Sequence, residues 1–167
     1  IWGGEAAGIV MAINPMLDGS QIVELLQAAK AKLVVTMAPS PDNDLWQKIE
    51  ANLAAAPTVQ QVLWVSAAPY LPAETAKKLT DAVKLERSRY AKWSINDLHT
   101  LMTAQPSSRL KSGRTILSSD RSSYFCTGGT TGMPKIAVRT HGAEVFDAWA
   151  LGANMRPRDA AYTLFSG

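Results

Sequence analysis

Apolar residues along the chain fall into two kinds of pattern, short unbroken runs and stripes at helical spacing. Ile9-Val10-Met11-Ala12-Ile13 is an unbroken run closed by Asn14-Pro15, and it predicts a buried strand. Asp18 and Gln21 are spaced as a capping box. Ile22, Leu25, Leu26 and Ala29 then recur at i, i+3, i+4 and i+7 and predict a helix with one apolar face. Lys32–Met37 (K-L-V-V-T-M) predicts a strand buried on both faces. Ser40-Pro41 reads as N-cap and first-turn proline of a helix carrying Leu45, Trp46, Ile49 and Leu53 and closed by Pro57. Val59–Ser66 predicts a third strand. Strand, helix, strand, helix, strand implies βαβ units, with the strands at 9–13, 33–37 and 59–65 parallel in one sheet.

Further on, Pro69 and Pro72 mark a loop, and Ala73–Arg89 predicts a charged helix with Ala76, Leu79 and Val83 inward. Ser94 with Asp97 reads as the cap of a short helix carrying Leu98, Leu101 and Met102. Gln105–Asp120 is rich in serine and reads as an exposed connector. Tyr124-Phe125-Cys126 and Ile136-Ala137-Val138 predict two strands, the first of them buried. Gly142–Asn154 predicts a helix with Val145, Ala148, Trp149 and Leu151 apolar, and Tyr162–Phe165 a last strand. The expected fold class is α/β, with parallel βαβ units and a strand–glycine-rich loop–strand segment. The expected division is a βαβ-type portion at 1–104, the connector at 105–120 and a phosphate-loop segment at 121–167.

The chemistry concentrates between the last two strands before the Gly142–Asn154 helix. Thr127–Lys135 reads T-G-G-T-T-G-M-P-K. Glycine lets backbone N–H groups turn toward a ligand, because it tolerates φ > 0 and has no Cβ to block approach. Successive inward N–H groups form an anion-binding concavity. The hydroxyls of Thr127, Thr130 and Thr131 add neutral donors, and Lys135 adds a point charge. A phosphate chain is the natural guest. The stretch is not a Walker A loop: Met133 and Pro134 separate the last glycine from the lysine, and isoleucine follows Lys135. A plain glycine and threonine turn would not call for so many threonines together with Pro-Lys.

This loop closely resembles the phosphate-binding signature of the adenylate-forming enzymes, the superfamily of acyl-CoA synthetases, peptide-synthetase adenylation domains and luciferases. That signature reads [ST]-[SG]-G-[ST]-T-G-x-P-K, followed at a short distance by Thr-His. Thr127 to Lys135 matches throughout, and Thr140-His141 stands at the expected distance. Gly128 in the second place is the variant associated with fatty acyl-CoA synthetases, while Ile136 replaces a frequent glycine beyond the cradle. Ile13-Asn14-Pro15 followed by a helix and the strand at Ala31–Thr36 matches a softer habit of the same superfamily. The resemblance implies that Thr127, Gly128, Gly129, Thr130, Thr131, Gly132 and Lys135 hold the ATP phosphates. It implies ATP with Mg2+, a carboxylic acid and CoA as substrates of the complete enzyme. An acyl-AMP ligase or adenylation domain serving another thiol shares the same loop.

The superfamily's later aromatic-Gly-x-Thr-Glu motif, ribose-binding aspartate and C-terminal catalytic lysine have no counterpart here. No catalytic residue is therefore assigned. The chain starts at Ile1 and stops at Ser166-Gly167 just after a strand-like run. Both ends read as cut, so the chain is expected to be an inactive fragment of a large N-terminal domain.

Composition adds little that changes this. At 167 residues the chain is long enough for a good core. A net charge of +3 suits anionic small molecules without calling for nucleic acid. The uncharged run Ala6–Leu17 contains Asn14 and Pro15 and is too short to span a bilayer, and no secretory segment is visible. The single cysteine fits a reducing cytoplasm. Cys126 and His141 flank the loop, but nothing in the sequence orients the histidine as a base. His99 reads as a surface or packing residue, and these spacings make no zinc site. Lys77, Lys78, Lys84, Arg87 and Arg89 offer a basic patch for a non-catalytic anion-binding module. Glu74, Asp81 and Glu86 interleave with them, as on an ordinary solvated face.

Overall fold

A computed structural model of the chain describes residues 1–87, 93–127 and 135–155. It divides into two compact units, Ile13–Lys111 and Ile1–Ala12 with Ser112–Gly167.

In the first of these, helix α2 (Gly19–Ala28) follows Asp18, whose backbone N–H donates to Gln21 Oε1 at 3.1 Å and so closes the expected capping box. Its Ile22, Val23, Leu25 and Leu26 are buried. Strands β2 (Leu33–Met37), β3 (Gln61–Val65) and β4 (Ser94–Asp97) form a parallel sheet in that order. Helix α3 (Leu45–Glu50) connects β2 to β3, and α4 (Ala73–Arg87) lies between β3 and β4 in the chain. Helix α5 (Leu98–Thr103) follows β4 directly.

The core of this unit lies on one face of the sheet. Val34, Val62, Trp64 and Ile95 point from the strands toward Ile22, Val23 and Leu26 of α2 and Trp46 and Ile49 of α3, with Leu53 completing the cluster. Trp46 and Trp64 meet edge to face, ring centroids 5.1 Å apart at 79°, the geometry that ring quadrupoles favour. Strand β2 alternates rather than being buried on both faces: Val34 is 7 % exposed, but Val35 is 54 % exposed. An apolar run alone cannot distinguish a strand covered twice from one covered once.

Two boundaries also move. Ser40-Pro41 does not open α3. Asn43 Oδ1 accepts the Leu45 N–H at 2.8 Å and the Ser40 carbonyl accepts Asn43 N–H at 3.3 Å, so residues 40–43 turn before the helix begins. Ser94 belongs to β4, and Asp97 alone caps α5, its Oδ1 accepting from Thr100 N at 2.7 Å. The charged helix α4 keeps Ala76, Leu79 and Val83 half-buried.

The other unit contains helix α1 (Trp2–Ala7), strands β1 (Val10–Met11), β5 (Arg121–Thr127) and β6 (Lys135–Thr140), and helix α6 (His141–Met155). The sequence patterns gave no sign of α1. Strand β1 does not join β2 and β3 as expected; it pairs parallel with β5, Val10 opposite Ser123 and Met11 opposite Tyr124. Asn14-Pro15 breaks the chain after a short strand, so nothing in the pattern ties that strand to the next one. The run at Tyr162–Phe165 lies outside the described residues.

Helix α2 touches α3 at Gly19, where an added Cβ would stand 2.2 Å from the Lys48 carbonyl oxygen. Replacing glycine by alanine inside a helix ordinarily stabilises it. Here the sign reverses: Gly19→Ala forces the two helices apart and costs about 1–3 kcal/mol, as overpacking does. Urea unfolding checks this, and an unchanged or raised midpoint would show that the contact is not as close as described.

Candidate functional site

The predicted loop is bracketed by β5 and β6, which run antiparallel. Their register places Thr127 opposite Lys135, Cys126 opposite Ile136 and Tyr124 opposite Val138. The backbone ends of the loop are thus a paired rung of a ladder, and Lys135 is exposed there. Gly128, Gly129, Thr130, Thr131 and Gly132 lie outside the described residues.

Strand β5 departs from its predicted burial. Phe125 in the apolar run is 46 % exposed, whereas Ser122 and Ser123 are buried. The two adjacent buried serines mark an irregularity in the ladder: Arg121 pairs with Thr140 and Ser123 with Arg139, so Ser122 is an extra residue. Such a bulge interrupts strict alternation, and here two adjacent hydroxyls turn inward.

These hydroxyls meet the start of α6. Ser123 Oγ hydrogen-bonds the Glu144 carboxylate. That bond does most to hold the Glu144 carboxyl below its ordinary value, against burial and with help from the neighbouring Ser122 hydroxyl, Arg139 and His141. From β6, Arg139 pairs with Asp147 one turn further along α6, and its guanidinium lies 5.4 Å from the Phe125 ring centroid.

The N-terminus of α6 is already satisfied. His141 N–H donates to the Asp120 carbonyl at 3.0 Å and Gly142 N–H to the Ser118 carbonyl at 2.8 Å. Ala143 N–H donates to Thr140 Oγ1 at 3.2 Å. The Thr-His pair that follows the loop in sequence therefore serves as a helix cap and as the first helical residue. Asp120 braces the preceding turn: its Oδ2 accepts from Leu117 N–H at 3.1 Å and lies 3.4 Å from Arg114. The Leu117 N–H is the main reason the Asp120 carboxyl sits below its ordinary value, with Arg114 adding to it.

The other candidates separate from the loop. Cys126 lies five residues along β5 from Arg121, the partner of Thr140. That is roughly 16 Å of strand, too far for a Cys–His pair with the residue next to Thr140. Burial pushes the Cys126 thiol up, away from the thiolate. On α4, Lys78 pairs with Glu74 at 3.1 Å and Lys84 with Asp81 at 4.0 Å, both in solvent. Arg89 lies outside the described residues. Among the described residues no group of three or more His, Cys, Asp or Glu gathers as for a metal ion, and no helix is long and apolar enough to cross a membrane.

The sequence matches the AMP-binding enzyme family over residues 5–165, nearly its whole length. The chain belongs to that family. Its members are adenylate-forming ligases, and both units of the α/β fold lie within the match. The chain is 29% identical over 148 residues to marinolic acid–CoA ligase of Pseudoalteromonas sp. (strain SANK 73390), covering 89% of this chain and 19% of that ligase. It thus spans about a fifth of the relative's length. Among solved structures it is similar to McyG A-PCP complexed with phenylalanyl-adenylate, at 16% identity and TM-score 0.34 over 93% of this chain and 29% of that one. It is also similar to the Klebsiella oxytoca NpsA N-terminal subdomain, at 14% identity and TM-score 0.26 over 80% of this chain and 38% of that one.

Sequence reasoning missed the buried Ser122 and Ser123, the bond from Ser123 to Glu144, and Asp120 as the brace of the preceding turn. Serines beside an apolar run carry no signature, and only the bulge turns them inward. The reading of Cys126 is open to test. Its alkylation by iodoacetamide, followed against pH, is expected to have a midpoint above that of a free peptide thiol. A midpoint at or below the free-thiol value would revive the nucleophile reading.

Proposed function

We propose that this chain is part of an ATP-dependent acyl-CoA synthetase that activates a carboxylic acid, in particular a fatty acid, and transfers it to CoA. One observation carries the reading. Thr127–Lys135 matches the phosphate-binding signature without a gap, and Thr140-His141 follows at the expected distance, in a chain that matches the AMP-binding enzyme family over residues 5–165. Similarity to an acid–CoA ligase supports CoA as the acceptor. Gly128 in the second place of the loop supports a fatty acid.

In this reaction a carboxylate oxygen attacks the α-phosphorus of MgATP, the bond to the bridging oxygen breaks, and pyrophosphate leaves. The acyl-adenylate then meets the CoA thiolate at its carbonyl carbon, and AMP leaves. In our proposal the loop acts on the leaving group. Backbone N–H groups of Gly128 to Gly132 and the hydroxyls of Thr127, Thr130 and Thr131 stabilise the charge that develops on pyrophosphate. Lys135 adds a longer-range attraction. None of these groups changes its covalent state, so their contribution is positioning and electrostatics, as in phosphoryl transfer generally. The acid and CoA sites are assigned to no residue of this chain.

The test is carboxylate-dependent ATP–pyrophosphate exchange, with thioester formation from ATP, CoA and fatty acids of graded length, in the full-length gene product. Thr130→Ala with Thr131→Ala is expected to raise KM for MgATP and slow adenylation, since each hydrogen bond to a charged group contributes about 1.5–3 kcal/mol. Unchanged exchange kinetics in the double variant would remove the phosphate assignment. Exchange without thioester formation would move the acyl group to a different thiol.

A further inference from the structure

The strands that carry the loop are held by little apolar packing. Phe125 and Val138 on them are exposed. Their pairing with each other is extensive, but β1 supports β5 through Val10 and Met11 only. Helix α1 also touches β5. Among the described residues, two polar tethers join the hairpin to α6, Ser123 to Glu144 and Arg139 to Asp147. Glu144 and Asp147 are three residues apart on α6, on one face of the helix, and each takes one strand of the hairpin. The two tethers are not equal. Asp147 is largely exposed, and exposed ion pairs hold weakly. Ser123 is buried, and a hydrogen bond from a buried hydroxyl to a carboxylate is charge-assisted and strong. The hydroxyl is buried beside a bulge, so without Glu144 the strand would gain by shifting its register to hydrate it.

We propose that Glu144 is a positioning residue for nucleotide binding: by holding Ser123 it fixes the register of β5 against α6, and so the place of the Thr127–Lys135 rung from which the phosphate loop springs. Thr127 lies four residues beyond Ser123 on the same strand, roughly 13 Å away, so Glu144 itself touches no substrate. A one-residue slip in β5 would change which residue faces Lys135 and reverse the faces of the strand. The inference rests on the proposed phosphate-loop role.

The tether is acid-sensitive, and the sign is fixed by its cause. Ser123 stabilises the ionised carboxylate, so the tether is complete above the ordinary carboxylate value and is lost as pH falls through the lowered one. Arg139 from β6 and His141 on α6 are the other charges that act on Glu144, and Asp147 engages Arg139 beside it.

The experiment compares Glu144→Ala, Glu144→Gln and Ser123→Ala with the parent in the full-length protein. MgATP binding, ATP–pyrophosphate exchange and amide hydrogen exchange are each measured. Glu144→Ala is expected to weaken MgATP binding about tenfold, the scale of one charge-assisted hydrogen bond, with KM for the acid unchanged. Glu144→Gln, which still accepts from Ser123, recovers part of that loss and removes the acid limb of the binding profile. Amide exchange quickens in 121–127 and 135–140 and stays unchanged in β2 to β4. Equal losses for both substrates, an acid limb that persists in Glu144→Gln, or slow exchange retained in β5 would overturn the proposal. A parent that binds MgATP but gives no exchange activity sinks the synthetase reading alone, and the binding series still decides on Glu144. A parent that does not bind MgATP sinks both.

Discussion

Strand β5 is hydrogen-bonded along both edges, parallel to β1 on one side and antiparallel to β6 on the other. Its central place means that one backbone irregularity is felt on both sides. The extra residue at Ser122 breaks the alternation and buries two hydroxyls that an ordinary strand would have shared between its faces. Buried hydroxyls need partners. The start of α6 supplies the carboxylate for Ser123, and the preceding turn, braced by Asp120, supplies carbonyls for the first amides of α6. Hairpin, turn and helix are therefore one hydrogen-bonded arrangement built round the bulge.

The βαβ unit rests on a different force. Trp46, Trp64, Leu53, Val62 and their neighbours exclude water from one face of a parallel sheet, and apolar burial of this kind responds little to pH. The hairpin unit depends on carboxylates held ionised, Glu144 by Ser123 and Asp120 by Leu117 N–H. Falling pH removes those two contacts, whereas a cavity or an overpacked contact acts on the apolar core of the βαβ unit. The two halves of the chain thus answer to different perturbations although one family match spans them.

Much of this was legible in the residues. Helix α2 carried its stripe and its capping box, and α4 and α6 carried length and periodicity. The runs at 33–37 and 59–66 announced strands through their apolar content, the second of them observed at Gln61–Val65. The loop was legible because its chemistry demands unusual residues together: glycines for approach, threonines for donors, a lysine for charge. Most of what failed in the strands had one physical source, the dependence of a strand's surroundings on residues far away in sequence. Val35 and Phe125 are as apolar as Val34, yet both are exposed, and nothing in their own type announces it. Strand β1 had no local reason to choose β5 over β2. Ser94 stood at the right spacing for a cap, and pairing with β3 drew it into a strand instead.

Helix α2 ends in an unusual way. Lys30 adopts φ 50, in the left-handed region where a side chain crowds the backbone, and Lys30 N–H and Ala31 N–H close the helix on the Gln27 and Leu26 carbonyls, both at 2.9 Å. Glycine commonly fills that place without strain, and an L-residue pays roughly 1–2 kcal/mol to stand there. The last turn of α2 is consequently the end of that helix with the smallest free-energy gap to an unwound state. Native-state fluctuations of the βαβ unit should begin there, at the junction that delivers the chain into β2, while Ile22 and Val23 one turn earlier stay closed until the unit opens as a whole.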